Sequence, residues 1–359
     1  MSVQDLALQR NKYKHLTDDE WRWFLQQVEG RERTADKLPT FAAIKDWWYP
    51  IRLSCEQCSS ELTAKYKASL VSGETMADLT GGYGVDTYFI SEGFTHVDYV
   101  EQNEELCRIA KHNFVHKPIT IYNSTAEEFL ASAGQYDLLF LDPARRDSHG
   151  GKVFRLEDCT PNVIELLPTL LSHSKQILIK LSPMLDLTQA VTSLSQVTWD
   201  IYVVAIKNEV KEVLLLSGGT GKITAIDLDK KGQAFVFTKE EEQSSVISYQ
   251  PSVFSFLYEP NAAILKAGAY KLTAERFGLH KLDVNTHLYG SEEFVPDFPG
   301  RVWKIIEKQD LKQANVLCRN YPLTPDQLKK KLHLRDGGTA FIIGCRENGK
   351  PTLFYAERV

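Results

Sequence analysis

From Met76 onward, short apolar runs alternate with amphipathic stretches, the pattern of a mostly parallel sheet covered by helices on both faces. The spacing predicts strands near residues 75–79, 96–101, 118–122, 136–141, 176–181, 199–206 and 211–217, with helices between the first five. Only residues 207–210 separate the last two runs, too few for a crossover helix, so this pair is expected to form an antiparallel hairpin. A doubly wound α/β sheet that ends in such a hairpin departs from the parallel winding of two-half dinucleotide-binding folds.

The rest of the chain reads as attachments to that sheet. Residues 1–72 form an N-terminal helical lobe. Asp18, Asp19 and Glu20 place acids at the positive end of a helix rich in Trp21, Trp23, Phe24 and Leu25, and Gly30 is expected to close it. Breaks follow at Pro39 and Pro50, and Ser54 with Gln57 has the spacing of a capping box, so a helix is expected to start there. Within an α/β domain spanning 73–250, the runs 223–228 and 234–238 extend the sheet. Pro251 marks the start of a small α+β segment, 251–300, with one helix over 262–277. The last section, 301–359, reads strand (314–318), helix (324–332), strand (339–345), strand (353–358), with an Asn348-Gly349 turn.

Bulk properties narrow the function classes. A chain of 359 residues exceeds what one core usually serves, and 43% hydrophobic with 25% charged residues is the balance of a globular protein. No apolar run approaches the roughly 20 residues of a spanning helix, and the N-terminus lacks the charged-then-apolar order of a secretory signal, so a cytoplasmic location without membrane contact is expected. The cysteines Cys55, Cys58, Cys107, Cys159, Cys318 and Cys345 are scattered, which argues for reduced thiols. Cys55-x-x-Cys58 lacks a second ligand pair at zinc spacing, so no metal is expected. The formal net charge of -5 gives no global signature of nucleic-acid binding. Locally, the stretch 301–335 holds Arg301, Lys304, Lys308, Lys312, Arg319, Lys329, Lys330, Lys331 and Arg335 against Glu307, Asp310 and Asp326, a candidate RNA-binding face or an ordinary solvated one.

Three segments carry chemistry. In Met76-Ala77-Asp78-Leu79-Thr80-Gly81-Gly82-Tyr83-Gly84-Val85-Asp86-Thr87, a strand ends in an acid and runs into glycines that open a helix, which lets backbone N–H groups approach a nucleotide-containing ligand. Thr87 stands where a dinucleotide fingerprint needs its third glycine, which weakens a nicotinamide-dependent oxidoreductase reading. Glu101 ends the next strand, where a carboxylate can take both hydroxyls of an adenosine ribose. Asp142-Pro143-Ala144-Arg145-Arg146 follows the fourth strand, at the sheet edge where α/β ligands gather, and Lys180 ends the fifth strand at the same edge, facing either the site or solvent.

With these segments in this order, residues 55–220 resemble a class I S-adenosylmethionine-dependent methyltransferase of the nucleic-acid-directed branch, whose fourth strand ends in an Asp/Asn-Pro-Pro-aromatic or Asp-Pro-Pro-Arg signature. Residues 107–113, Cys-Arg-Ile-Ala-Lys-His-Asn, are similar to a helix of RNA methyltransferases, and 315–344 resembles the THUMP-like domain that ends a group of bacterial, largely Bacteroidetes, methyltransferase-like proteins. The resemblance implies S-adenosylmethionine as cofactor and S-adenosylhomocysteine as product, with Asp78, Thr80, Gly82, Gly84, Glu101, Thr125 and Asp142 binding it. It also implies that Asp142, the Pro143 carbonyl and Arg145 act on the acceptor, most simply a base nitrogen in RNA. The chain departs from the family at Thr80, in place of its first glycine, at Ala144, in place of the second proline, and at Ser124-Thr125, in place of an acid after the third strand, for which Glu127 or Glu128 could substitute. Tyr83 is expected as a lid. Alternatives are a small-molecule or protein methyltransferase and a non-catalytic RNA-binding protein that keeps the fold.

Overall fold

The computed structural model describes residues 6–145, 155–229, 234–247 and 254–359. Arg146 and Pro251, singled out above, lie outside them. The chain divides into two compact units, one of residues 1–200 and 213–220, the other of residues 201–212 and 221–359.

The first unit begins with helices α1 (Asp18–Thr34), α2 (Pro39–Ala43), α3 (Arg52–Gln57) and α4 (Glu61–Ala68). Thr17 and Glu20 form a reciprocal capping box at the start of α1, which satisfies two otherwise orphaned backbone donors. Gly30 does not end this helix. It lies inside it because Tyr49 packs there, and a Cβ at this position would come within 2.3 Å of the Tyr49 Cβ. Ser54 is likewise interior to α3; the cap falls six residues later at Ser60, whose side chain accepts from the Thr63 N–H and opens α4. These helices share one core with the α/β layer: Leu38, Phe41, Trp47 and Tyr49 pack with Tyr83, Phe89, Tyr99 and Phe114.

The α/β layer runs β1 (Gly73–Asp78), α5 (Val85–Ile90), β2 (Phe94–Glu101), α6 (Glu104–Asn113), β3 (Ile119–Asn123), α7 (Ala126–Leu130) and β4 (Tyr136–Leu141). Two short strands, β5 (Ala144–Arg145) and β6 (Cys159–Thr160), then pair antiparallel and lead to α8 (Val163–His173), β7 (Ser174–Leu181) and α9 (Leu187–Ser193). Strands β8 (Trp199–Ile206) and β9 (Glu209–Ser217) complete the set, and the strand order on this side is β9-β7-β4-β1-β2-β3. Strand β1 pairs parallel with β2 and β4, β4 parallel with β7, and β7 antiparallel with β9. This is the mixed α/β sheet expected from the sequence. The central parallel strand β4 is apolar over Leu138, Leu139, Phe140 and Leu141, each at 1% exposure or less, as a strand covered on both faces must be. The register Asp78↔Tyr99, Asp78↔Phe140 and Leu141↔Ile179 brings the carboxyl ends of β1, β2, β4 and β7 to one edge.

In the second unit, β8 and β9 turn back at Lys207 and Asn208, both with positive φ. The Asn208 N–H donates to Asp227 and its side-chain oxygen accepts from the Ala262 N–H, so this turn asparagine is a structural clasp. Strand β10 (Lys222–Asp227) pairs parallel with β8 and antiparallel with β11 (Phe235–Thr238), which leads into α10 (Lys239–Ser244). The expected single helix over 262–277 is two, α11 (Ala262–Ala267) and α12 (Lys271–Phe277), because Gly268 ends the first in the left-handed conformation.

A seven-stranded sheet is built from β12 (Phe256–Pro260), β13 (His280–Asp283), β14 (Thr286–Ser291), β15 (Gly300–Ile306), β16 (Asn315–Arg319), β17 (Ala340–Glu347) and β18 (Lys350–Arg358), in the order β13-β14-β12-β15-β18-β17-β16. Helix α13 (Pro325–Lys331) precedes β17. The β17–β18 turn is at Asn348-Gly349, both left-handed, as hairpin turns require. Because β12 pairs with β15, strands from either side of residue 300 belong to one sheet.

Candidate active site

Loop 78–86 is shaped by its own hydroxyls and glycines. The Asp78 carboxylate, 1% exposed, accepts from the Thr80 N–H at 3.0 Å and from the Thr87 hydroxyl at 2.5 Å. Burial nevertheless dominates and raises its pKa to about 7, with Asp86 and Asp142 pushing the same way. Thr87 thus serves the loop as an internal donor, which glycine could not do. Gly81 has no room for a side chain, since a Cβ would stand 2.2 Å from the buried Tyr99 ring, and Gly82 and Gly84 both take positive φ. The Tyr99 hydroxyl donates to the Gly82 carbonyl, fixing the turn from beneath.

Glu101 is aimed by the backbone: Oε2 accepts from the Gly82 N–H and Oε1 from the Asn103 N–H, each at 2.8 Å. Thr80 links this loop to the next strand end, for its hydroxyl accepts from the Asp142 N–H at 2.6 Å. That contact explains threonine where the related motif has glycine. Asp142 Oδ2 takes a hydrogen bond from the Lys180 ammonium at 2.5 Å, and Lys180 also reaches the Ser59 hydroxyl at 3.1 Å. Lys180 therefore faces inward. Behind it, Asp86 accepts from Ser59 at 2.7 Å and pairs with the fully buried Lys67 at 3.2 Å; desolvation opposes the Asp86 charge, but the two lysines and Ser59 hold its pKa below the usual carboxylate range.

One cavity of about 360 Å³ collects these groups, within the size range of small-molecule sites. Asp78, Thr80, Gly82, Gly84, Glu101, Thr125 and Asp142 all line it. Pro143 is not among its described lining residues; Arg145 sits in β5 with its backbone opposite Cys159. Thr125 and Glu128 are occupied as a capping box for α7, whereas Glu127 lines the cavity, so Glu127 is the acid placed to substitute after β3. Tyr83, expected as a lid, lines the cavity and is held in place: 5% exposed, its hydroxyl accepts from the Trp47 indole and donates to the Trp48 carbonyl. Sequence reasoning missed the contribution of Ser54, Gln57, Cys58 and Ser59, which line the cavity from the N-terminal helices; nothing in their local pattern signals it. Among the described residues no group of three or more His, Cys, Asp or Glu could hold a metal, and no helix is long and apolar enough to cross a membrane.

The same architecture occurs in known proteins. A crystal structure from Porphyromonas gingivalis W83, described as a "putative methyltransferase", matches with a TM-score of 0.86 and 33% identity over 96% of this chain and 92% of that one. Two uncharacterised S-adenosylmethionine-dependent methyltransferases of Mycobacterium tuberculosis, from strains CDC 1551 / Oshkosh and ATCC 25618 / H37Rv, are each 22% identical over 90% of this chain and 92% of their own. The chain belongs to the S-adenosylmethionine-dependent methyltransferases. At its C-terminus, residues 256–299 match a ferredoxin-like domain and residues 298–358 a THUMP-like domain.

The cavity fits the cofactor of this methyltransferase. Glu101 is pre-aimed by two backbone donors that leave its oxygens further lone pairs for a pair of ribose hydroxyls. The glycine turn leaves open backbone beside it, with only the Thr80 carbonyl within 4 Å of a Cβ built at Gly82. The carboxylates of Asp78 and Asp142 border the space beyond.

Proposed function

We propose that this methyltransferase acts on a base nitrogen in RNA, with the cofactor lying along Asp78, Thr80, Gly82, Gly84, Glu101 and Thr125 and the acceptor presented over Asp142 and Pro143. The observation that carries the reading is the state of Asp142: its backbone is tied to the cofactor loop and Oδ2 to Lys180, and Oδ1 has no partner among the described residues at the cavity wall. An oxygen so fixed can accept a hydrogen bond from an acceptor amino group and orient its lone pair, with the Pro143 carbonyl as second acceptor. When bound, the cofactor supplies a methyl group activated on a positively charged sulfur, so the chain has little covalent work to do and positioning carries the rate. Arg145 and Arg146, which follow Asp142-Pro143-Ala144 in the sequence, are assigned a bidentate grip on a substrate phosphate. A base would have to be single-stranded or flipped to reach the cavity.

The THUMP-like segment, 301–359, is assigned to RNA binding. Part of its basic stretch is consumed internally: Arg301 and Arg319 pair with Glu259, and Lys329 with Asp326 and Asp336. Lys304, Lys308, Lys312, Lys330, Lys331 and Arg335 are exposed and form the candidate contact face. The test is transfer of tritium from methyl-labelled S-adenosylmethionine to total RNA from a strain lacking the gene. The wild type should label RNA, and Asp142→Ala should lose about 100-fold in rate. Label in protein or small molecules would contradict the RNA reading, and an active Asp142→Ala would contradict the role of Asp142.

A further inference from the structure

Lys180 stands at the carboxyl end of β7, one step beyond the Leu141↔Ile179 pairing, which sets its ammonium beside Asp142 across the sheet edge. It does not itself line the cavity, whereas Asp142, Asp86 and Ser59 do. Its side chain is 13% exposed against 39% for Asp142, so the lysine is the sealed member of the pair and the aspartate the open one. The ammonium donates hydrogen bonds to Asp142 at 2.5 Å and Ser59 at 3.1 Å and lies 3.6 Å from Asp86 in an ion pair. Asp86 is anchored in turn by Ser59 and by Lys67.

A carboxylate on a loop after a strand has two side-chain torsions to fix, and a half-exposed one samples several rotamers. A single charge-assisted contact to a group that is itself immobile removes that freedom and sets where the second oxygen points. Resting on the function proposed above, we infer that Lys180 is a positioning residue for methyl transfer: through Oδ2 it holds the Asp142 carboxylate with Oδ1 turned to the acceptor, and the Lys67–Asp86–Ser59 group holds Lys180. The N-terminal helices thereby reach the reaction centre through Ser59 and Lys67. Two acids and two ammonium groups balance, with Asp142 the partly exposed member, so Lys67 and Lys180 are not sealed in without anions.

The variants are Lys180→Met, which keeps the stem and removes the charge, Lys180→Arg, Asp142→Ala and the double variant Lys180→Met/Asp142→Ala. Each is assayed for S-adenosylhomocysteine affinity and for tritium transfer from methyl-labelled S-adenosylmethionine into the RNA, protein and small-molecule fractions of a deletion-strain extract. Lys180→Met should bind S-adenosylhomocysteine within about threefold of wild type and lose about 100-fold in kcat with little change in KM, the scale of an acceptor misplaced by about 1 Å. Lys180→Arg should recover part of that loss. In the Asp142→Ala background Lys180→Met should cost nothing further, because Lys180 acts only through the Asp142 carboxylate. An unchanged kcat in Lys180→Met, or losses that multiply in the double variant, would overturn the inference while leaving Asp142 in place. Label confined to the protein or small-molecule fraction would overturn the RNA reading alone, with the Lys180 comparison read on that fraction. Label in no fraction would overturn both.

Discussion

Each compact unit seals one carboxylate among cations, and the two do different things with it. Asp86 is 8% exposed and Glu259 2%. Glu259, on β12, is closed by Arg301 from β15 at 2.5 Å and by Arg319 from β16, so its charge ends inside the sheet and ties together strands that flank residue 300. Around Asp86 the pairing passes on, through Ser59 and Lys180 to Asp142, and its last oxygen is left at a cavity wall. Ion pairs that stay within a sheet make a clasp, and a chain of pairs that ends on a cavity-lining carboxylate makes a tool. A buried charge is therefore read by where its network stops.

The largest effect that sharpens this contrast is at the clasp. Glu259→Ala leaves two arginines facing each other without their anion and should lower unfolding stability by about 3–5 kcal/mol in chemical denaturation. It should leave S-adenosylhomocysteine affinity unchanged in calorimetric titration; a weakened affinity would erase the distinction between clasp and tool.

Next comes Asp78, whose pKa is raised to about 7 in the fold. A carboxyl raised on folding contributes stability that is fully present below its unfolded value of about 4 and lost as pH rises through about 7. Wild-type protein without cofactor should lose on the order of a few kcal/mol across that window relative to Asp78→Asn, which cannot titrate. Parallel stability curves for the two proteins from pH 4 to 8 would mean that Asp78 is not held in this state. The smallest effect is at Thr125, which caps α7. Thr125→Ala should cost about 1 kcal/mol in thermal unfolding, and a cofactor affinity that fell more than tenfold would show the threonine to be a direct ligand as well as a cap.

Much of the α/β sheet was legible because its signals are local. The run Tyr136–Leu141 announces a strand buried on both faces, and the 207–210 gap by its shortness forces a hairpin. The seven residues that the family resemblance implies as cofactor ligands all line one cavity, because the parallel register brings the ends of β1, β2 and β4 to one edge. What stayed hidden depends on packing partners far away in sequence. Gly30 looks like a helix stop until Tyr49 is seen to require its missing side chain. Gly268 looks tolerable inside a long helix, yet its left-handed backbone splits 262–277 in two. Lys180 reads equally well inward or outward on a strand end, and its direction is decided by Asp142 and Ser59, 38 and 121 residues away.

The central claim is that the Asp78–Glu101–Asp142 edge is the cofactor pocket, and calorimetric titration of S-adenosylhomocysteine into wild type, Glu101→Ala and Glu259→Ala tests it most directly. The account predicts a saturable site in the wild type, a loss of at least about tenfold in Glu101→Ala, the scale of one or two charge-assisted hydrogen bonds, and no change in Glu259→Ala. Undiminished binding in Glu101→Ala would place the cofactor elsewhere and contradict it.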